Sequence, residues 1–254
     1  MKNIRALALD LDGVVYEGKK ALPGAVEALA KLRAHGYILR YLTNNSASSR
    51  LSIQLKLIHL GIEVALSDIY TSGTAAVQYV SEEKKDAKVL IIGEEGLQSE
   101  ALEVGLQLVT QAPCDYLIVG MHREFTYQLI SLGLDALLGG AIFIACNRDG
   151  FYPAGEGRLL PGCGAMVGAI EGAIEKLVPP MVIGKPNTWM LERMMKDVGV
   201  SVEETLVVGD MLLTDIEMAR RMGTKAVLIT PYEYTESGLM CAKSLCDLVG
   251  ILQP

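Results

Sequence analysis

Ala6-Leu-Ala-Leu-Asp10-Leu-Asp12-Gly13-Val-Val15 runs four small or apolar residues into an acid, a spacer and a second acid. A strand covered on both faces need not alternate apolar with polar, so the run reads as a short buried strand. On a strand, residues i and i+2 share a side, about 6.6 Å apart at roughly 3.3 Å per residue. Asp10 and Asp12 are therefore expected to emerge together at the carboxyl end, where open α/β sheets bind ligands. Gly13 permits a sharp turn or a close backbone approach. Two like charges this close tolerate each other when a cation lies between them or when one holds a proton. Taken alone, the pattern fits an ordinary strand end equally well, with both acids in solvent or capping a helix.

Outward from that strand, apolar runs alternate with amphipathic ones. Pro23-Gly24 opens a predicted helix with Val26, Leu29, Ala30 and Leu32 at helical spacing, closed by His35-Gly36. Ile38–Leu42 is a predicted strand that stops at Thr43-Asn44-Asn45. Ser46 or Ser48 is placed to cap the next helix, whose apolar stripe includes Leu51, Leu55, Ile58 and Leu60. Ile69–Thr71 reads as a strand and Gly73–Val80 as a helix. The charged run Ser81–Asp86 is expected to mark a domain boundary. Beyond it a second series holds strands at Lys88–Ile92, Tyr116–Val119 and Ala141–Ala145, with an amphipathic stretch at Tyr127–Leu138. A glycine-rich passage and a helix lead to Pro179-Pro180, read as the return to the first domain. Met181–Ile183, Thr205–Val208 and Lys225–Ile229 are further strands. Met190, Leu191, Met194 and Met195 are read as core filler on the helix between the first two. Strands separated by helices predict an α/β fold, a Rossmann-like doubly wound parallel sheet. The expected domains are a core of residues 1–80 and 180–254 and an inserted α/β cap domain of residues 81–179.

The 254 residues carry a formal charge of −7, which argues against nucleic acid or an anionic membrane as a main partner. Apolar runs fall well short of the ~20 residues needed to span a bilayer. The N-terminus lacks a signal-peptide layout, so a cytoplasmic location is expected. The five cysteines match no zinc spacing and contain no Cys-x-x-Cys, which suits reduced thiols. The three histidines are scattered, so a histidine-centred metal site is not expected. Gly162-Cys-Gly164-Ala-Met-Val-Gly168 misses the dinucleotide-loop spacing by one residue and reads as a turn between cap and core.

Four strand ends carry chemistry: Asp10/Asp12, Thr43/Asn44, Lys185 and Asp210. In a parallel sheet the carboxyl ends lie along one edge, so these residues are expected to converge. Two acids can hold a hard cation such as Mg²⁺, and a lysine neutralises a phosphoryl group. That set suits phosphoryl transfer, which depends on positioning and charge neutralisation.

Asp10-Leu-Asp12-Gly13, Thr43-Asn44-Asn45, Gly184-Lys185-Pro186 and Gly209-Asp210-Met-Leu-Leu-Thr214-Asp215 resemble, in order, the four motifs of the haloacid-dehalogenase-like phosphohydrolases. The long insert resembles the subgroup with a large α/β cap, which includes 4-nitrophenylphosphatases and sugar-phosphate phosphatases. The resemblance implies Mg²⁺-dependent hydrolysis of a small phosphorylated metabolite through an aspartyl phosphate. Asp10 would be the nucleophile and Asp12 the general acid and base. Thr43, Asn44 and Lys185 would bind the phosphoryl group. Asp10, Asp210 and the Asp12 backbone carbonyl would bind Mg²⁺, with Asp215 orienting Lys185 or a metal water. Asn147 and Asp149 would lie where such caps approach the substrate. A homodimer is compatible with the resemblance. Met211 departs from the subgroup's usual Arg or Asn, and Pro231-Tyr-Glu-Tyr-Thr235 departs from its usual Gly and Thr or Ser. The same site would also serve a phosphotransferase or mutase, or a catalytically silent protein that binds a phospho-ligand.

Overall fold

The computed structural model describes residues 3–153, 158–232 and 238–252. Met1, Lys2 and the Glu233-Tyr234-Thr235 part of the departing segment lie outside them. The chain divides into two compact units. One comprises Met1–Thr43, Gln54–Tyr70 and Lys185–Pro254; the other comprises Asn44–Ile53 and Thr71–Gly184.

Elements are numbered along the chain. The first segment holds β1 (Ala6–Leu9), the hairpin strands β2 (Tyr16–Glu17) and β3 (Lys20–Ala21), α1 (Ala25–Ala34) and β4 (Ile38–Thr43). Next come α2 (Arg50–His59), β5 (Ile69–Thr71), α3 (Ser72–Glu83), β6 (Lys88–Ile92) and α4 (Glu95–Glu103). The middle of the chain holds β7 (Gln107–Val109), β8 (Tyr116–Val119), α5 (Tyr127–Leu138), β9 (Ile142–Ala145) and a hairpin, β10 (Phe151–Pro153) and β11 (Leu159–Pro161). Then follow α6 (Cys163–Ala173), β12 (Met181–Val182), α7 (Trp189–Val198) and β13 (Thr205–Gly209). The last are α8 (Glu217–Met222), β14 (Lys225–Ile229), β15 (Met240–Ala242) and α9 (Leu245–Leu252).

The first unit is built on a six-stranded sheet in the order β15-β14-β13-β1-β4-β5. β1 runs parallel to both β13 and β4, and β13, β14 and β15 continue in parallel. Every residue of β1 is buried, as expected for a central strand covered on both faces. The methionines of α7 fill the layer over β1 and β4; Met190, Leu191, Met194 and Met195 are all buried. The second unit has its own parallel sheet, in the order β12-β9-β8-β6-β7. Two parallel sheets clothed by helices give the doubly wound α/β class. Among the described residues, no helix is long and apolar enough to cross a membrane.

Three local expectations are corrected. Met181–Val182 was expected to end at the rim of the first sheet, but it pairs with β9 in the second. Lys185 is therefore delivered by a loop rather than by a strand of the nucleophile's sheet. On α2, Leu51, Leu55 and Ile58 form a true helical stripe but stay exposed, whereas Ile53 and Leu57 are buried. Both sets repeat at helical spacing, so periodicity alone does not say which faces the core. The hydroxyl meeting the first turn of α2 is that of Ser49, which accepts from the Ser52 amide at 3.3 Å. Ser46 instead accepts from the Met121 amide at 2.9 Å.

Candidate active site

Strand register brings the acids together. Leu9 is level with Val208 on β13 and with Tyr41 on β4. The Asp10 amide continues the ladder to the Val208 carbonyl at 2.8 Å. Asp10 thus leaves β1 beside the end of β13, where Asp210 follows Gly209. Oxygen atoms of Asp10, Asp210 and Asp215 all lie within 4.8 Å of one another.

Asp215 comes from a π-helical turn, Leu212–Ile216, between β13 and α8. Its Oδ2 accepts from the Met211 amide at 3.3 Å, which closes the turn on itself. A Cβ on Gly209 would fall 2.2 Å from the Asp215 Cβ, so this turn folds back only over a glycine. Gly13 plays the same part on the other side. Its φ is +79° and an added Cβ would lie 2.2 Å from Asp210 Oδ2.

Lys185 enters this acid group. Its ammonium donates to Asp10 Oδ1 at 2.7 Å, to Asp215 Oδ1 at 2.6 Å and to the Leu42 carbonyl at 3.2 Å. Lys185 is only 3% exposed. A buried lysine is tolerated when its charge is paired and its donors are used. Burial alone would pull its pKa down, but Asp10 and Asp215 more than offset that and hold the ammonium charged. Burial pushes the Asp10 carboxyl up, and Lys185 pulls the other way. Two acids on one ammonium at hydrogen-bond distance describe a charge-paired triad.

Asp210 is not part of that pairing. Its Oδ1 is buried and accepts no hydrogen bond among the described residues. Burial and then the charge of Asp215 push its carboxyl up to about 6. Three carboxylates against one ammonium leave an excess of two negative charges. An orphaned buried carboxylate oxygen in an all-oxygen donor group fits a hard divalent cation, and Mg²⁺ in particular takes such ligands.

Asp12 lies two residues beyond Asp10 in an isolated bridge with Tyr16, and the residue is exposed. Desolvation pushes its pKa up, and the charge of Lys56 opposes the shift. Thr43 ends β4 in the same unit, beside Leu42, and is buried.

Asn44 is described with the second unit. Its amide nitrogen donates to both carboxylate oxygens of Asp149, at 3.0 and 3.1 Å. The Asn44 carbonyl accepts from Asn147 Nδ2 and from Ser72 Oγ, both at 2.7 Å. Asn147 Oδ1 accepts from the Asp149 amide at 3.0 Å. Asn147 and Asp149 thus form a small network that fixes Asn44. Gly162 and Gly164 pack against this loop. Added Cβ atoms would meet the Asp149 and Arg148 carbonyl oxygens at 2.3 and 2.4 Å. Their spacing serves close backbone contact inside the second unit, at the start of α6, and not a passage between cap and core.

Two residues beside Asp12 had no place in the sequence reading, Tyr16 and Lys56. Tyr16 stands just past the run that ends at Val15, where no element was read. Lys56 gave no signal, because nothing local links α2 to the first strand.

Known proteins resemble this chain over most of its length. Residues 7–107 match the family described as haloacid dehalogenase-like hydrolase, and residues 182–240 match a HAD-hydrolase-like family. The 5'-nucleotidase YutF of Bacillus subtilis is 34% identical over 229 residues, covering 90% of this chain and 88% of its own. The sugar-phosphatase AraL of the same organism is 32% identical, covering 88% of this chain and 82% of its own. A solved p-nitrophenyl phosphatase from Archaeoglobus fulgidus superposes with a TM-score of 0.91 at 30% identity, covering 98% of this chain and 100% of its own. The chain belongs to the haloacid dehalogenase-like hydrolases, among their p-nitrophenyl and sugar phosphatases.

Proposed function

We propose that this phosphoric monoester hydrolase cleaves small phosphate monoesters, of the sugar-phosphate or nucleoside-monophosphate class, through a phosphorylated Asp10. The observation that carries the reading is the Lys185 ammonium held between Asp10 and Asp215, with the unpartnered Asp210 oxygen beside it. Asp10 attacks phosphorus and forms a new P–O bond as the bond to the leaving oxygen breaks. Asp12 gives its proton to that oxygen. It then takes a proton from the water that attacks the acyl phosphate and releases inorganic phosphate. Lys185 screens the charge shared by Asp10 and the phosphoryl oxygens. Thr43 and Asn44 bind those oxygens, and Asp215 keeps Lys185 in place. Mg²⁺ would be held by the carboxylates of Asp10 and Asp210 and the Asp12 backbone carbonyl, and it would supply charge neutralisation at the phosphoryl group. The unit built on the second sheet, which takes in residues 81–179, serves as a cap that restricts the site to small leaving groups.

Phosphate release from p-nitrophenyl phosphate tests the reading. Turnover should require Mg²⁺, cease in EDTA, and fall by at least about 10³-fold in Asp10→Asn. Undiminished turnover after metal removal, or in Asp10→Asn, overturns it. Phosphopeptides cleaved as well as sugar phosphates would overturn the part assigned to the cap.

A further inference from the structure

We propose that Ser72 and Gly184 are positioning residues for the phosphoryl group: a buried clasp inside the second unit sets the spacing of the two chain segments that deliver Thr43 and Lys185. The inference rests on the phosphoryl-binding roles given above to Thr43, Asn44 and Lys185.

Three stretches of the second unit end beside one another. Asn44 follows Thr43, Gly184 precedes Lys185, and Thr71-Ser72 follows Tyr70 where the chain re-enters that unit. Ser72 is fully buried. Its hydroxyl donates to the Asn44 carbonyl at 2.7 Å and reaches the Asn45 carbonyl at 3.3 Å. Asn147 Nδ2 donates to the same Asn44 carbonyl and lies 3.4 Å from Ser72 Oγ. Gly184 closes the third side. The amides of Ile183 and Gly184 carry the β12–β9 ladder on to the Ala145 and Cys146 carbonyls, at 3.0 and 2.7 Å. A Cβ on Gly184 would lie 2.5 Å from the Cys146 carbonyl oxygen, 2.6 Å from Asn44 Oδ1 and 3.0 Å from Ser72 Cβ.

Each neighbour in this clasp is itself held. The Cys146 amide donates to the Val119 carbonyl at 2.9 Å. The Asn44 side chain is fixed by its two bonds to Asp149. Ser72 opens α3, and Thr71 caps that helix by accepting from the Thr74 amide at 2.9 Å. A buried polar network whose members are satisfied is rigid. Covalent geometry passes the rigidity on. Consecutive Cα atoms across a trans peptide stand about 3.8 Å apart, so fixing residue 44 against residue 184 confines residues 43 and 185. In the first unit the Lys185 ammonium donates to the Leu42 carbonyl, next to Thr43. The two phosphoryl-binding segments are thus tied twice, through Lys185 and Leu42 and through Ser72 and its neighbours. A displacement of about 1 Å in such groups costs up to about 10²-fold in rate.

A buried hydroxyl that bonds a carbonyl also stabilises the fold, so a melting temperature does not separate the two roles. Phosphate inhibition does. An inhibition constant belongs to each folded molecule, and losing part of the folded population leaves it unchanged. The phosphoryl group is also common to every ester. Misplacing its ligands lowers turnover of all esters alike, whereas disturbing contacts with the leaving group changes the preference among them.

The test measures the inhibition constant of inorganic phosphate, with Mg²⁺, in the parent enzyme, Ser72→Ala and Gly184→Ala. It also measures kcat/KM for p-nitrophenyl phosphate and glycerol phosphate. Ser72→Ala removes the bond to the Asn44 carbonyl and keeps a good helix former at the start of α3. Its inhibition constant should rise by about 5–10-fold, and kcat/KM should fall by a similar factor on both esters. Gly184→Ala should weaken phosphate inhibition by about tenfold or more, because the backbone beside Lys185 must shift. An inhibition constant within about twofold of the parent in either folded variant, or a loss confined to one ester, overturns the proposal. Thr43→Val separates the two levels. If it leaves phosphate inhibition unchanged, the phosphoryl-binding assignment falls and this inference falls with it. If it weakens inhibition while Ser72→Ala does not, only the inference falls. Should Gly184→Ala fail to fold, Ser72→Ala decides the matter alone.

Discussion

Gly13 and Gly209 hold the acid group together by what they lack. Each leaves room for a carboxylate that a methyl group would displace: Asp210 at Gly13 and Asp215 at Gly209. Gly13→Ala should lower p-nitrophenyl phosphate turnover by about 10²-fold or more, because the contact forces Asp210 to move while φ becomes strained. Steady-state kinetics with a circular-dichroism check of folding would show it, and near-parental activity would contradict the close approach. Lys185 makes a different prediction. Replacing it with methionine leaves two buried carboxylates facing each other without their cation. Removing one partner of such a group destabilises by about 3–5 kcal/mol. A urea midpoint unchanged in Lys185→Met would mean that the triad contributes nothing to folding. At this scale Asp10, Asp12, Lys185 and Asp210 were legible because each stands next to a strand-like run. Tyr16 and Lys56 were not, because their meaning lies in a contact between segments that sequence spacing does not join.

Elements show where periodicity stops being informative. The inner strands of both sheets were readable as apolar runs, since a strand buried on two faces leaves a continuous signature. Which sheet a strand joins was not. β12 looks like any other apolar run ahead of a functional residue, yet its hydrogen bonds go to β9. α2 carries two interleaved apolar sets, and the core took Ile53 and Leu57, leaving Leu51, Leu55 and Ile58 outside. The short β7 and β15 and the weakly patterned helix α4 escaped because such elements sit near the background of the chain. The loop after β9 yields a prediction of its own. Asn147 donates to the Asn44 carbonyl and its side-chain oxygen holds the Asp149 amide. Asn147→Ala removes both bonds, and a buried bond left unmade costs about 1–3 kcal/mol. If Asn44 binds the phosphoryl oxygens, inorganic phosphate should inhibit the variant about tenfold less well. An unchanged inhibition constant would divorce this loop from phosphate binding.

The whole molecule offers thiols as reporters of opening. Cys146 and Cys163 are buried in the second unit, and burial pushes both thiols up, away from the reactive thiolate. Cys246 is exposed in the first unit. Brief iodoacetamide treatment followed by mass spectrometry should label Cys246 in the native protein. Cys146 and Cys163 should react only after denaturant is added, and early labelling of Cys146 would show the second sheet opening under native conditions. The strand order also bears on how the chain is made. β1 lies between β4 and β13, but Thr205–Gly209 leaves the ribosome nearly two hundred residues after Ala6–Leu9. At about 5–20 residues per second, translation leaves one flank of that apolar strand without its neighbour for roughly 10–40 s. The nascent polypeptide thus carries an open sticky edge for most of its synthesis, and chaperones have that interval in which to shield it.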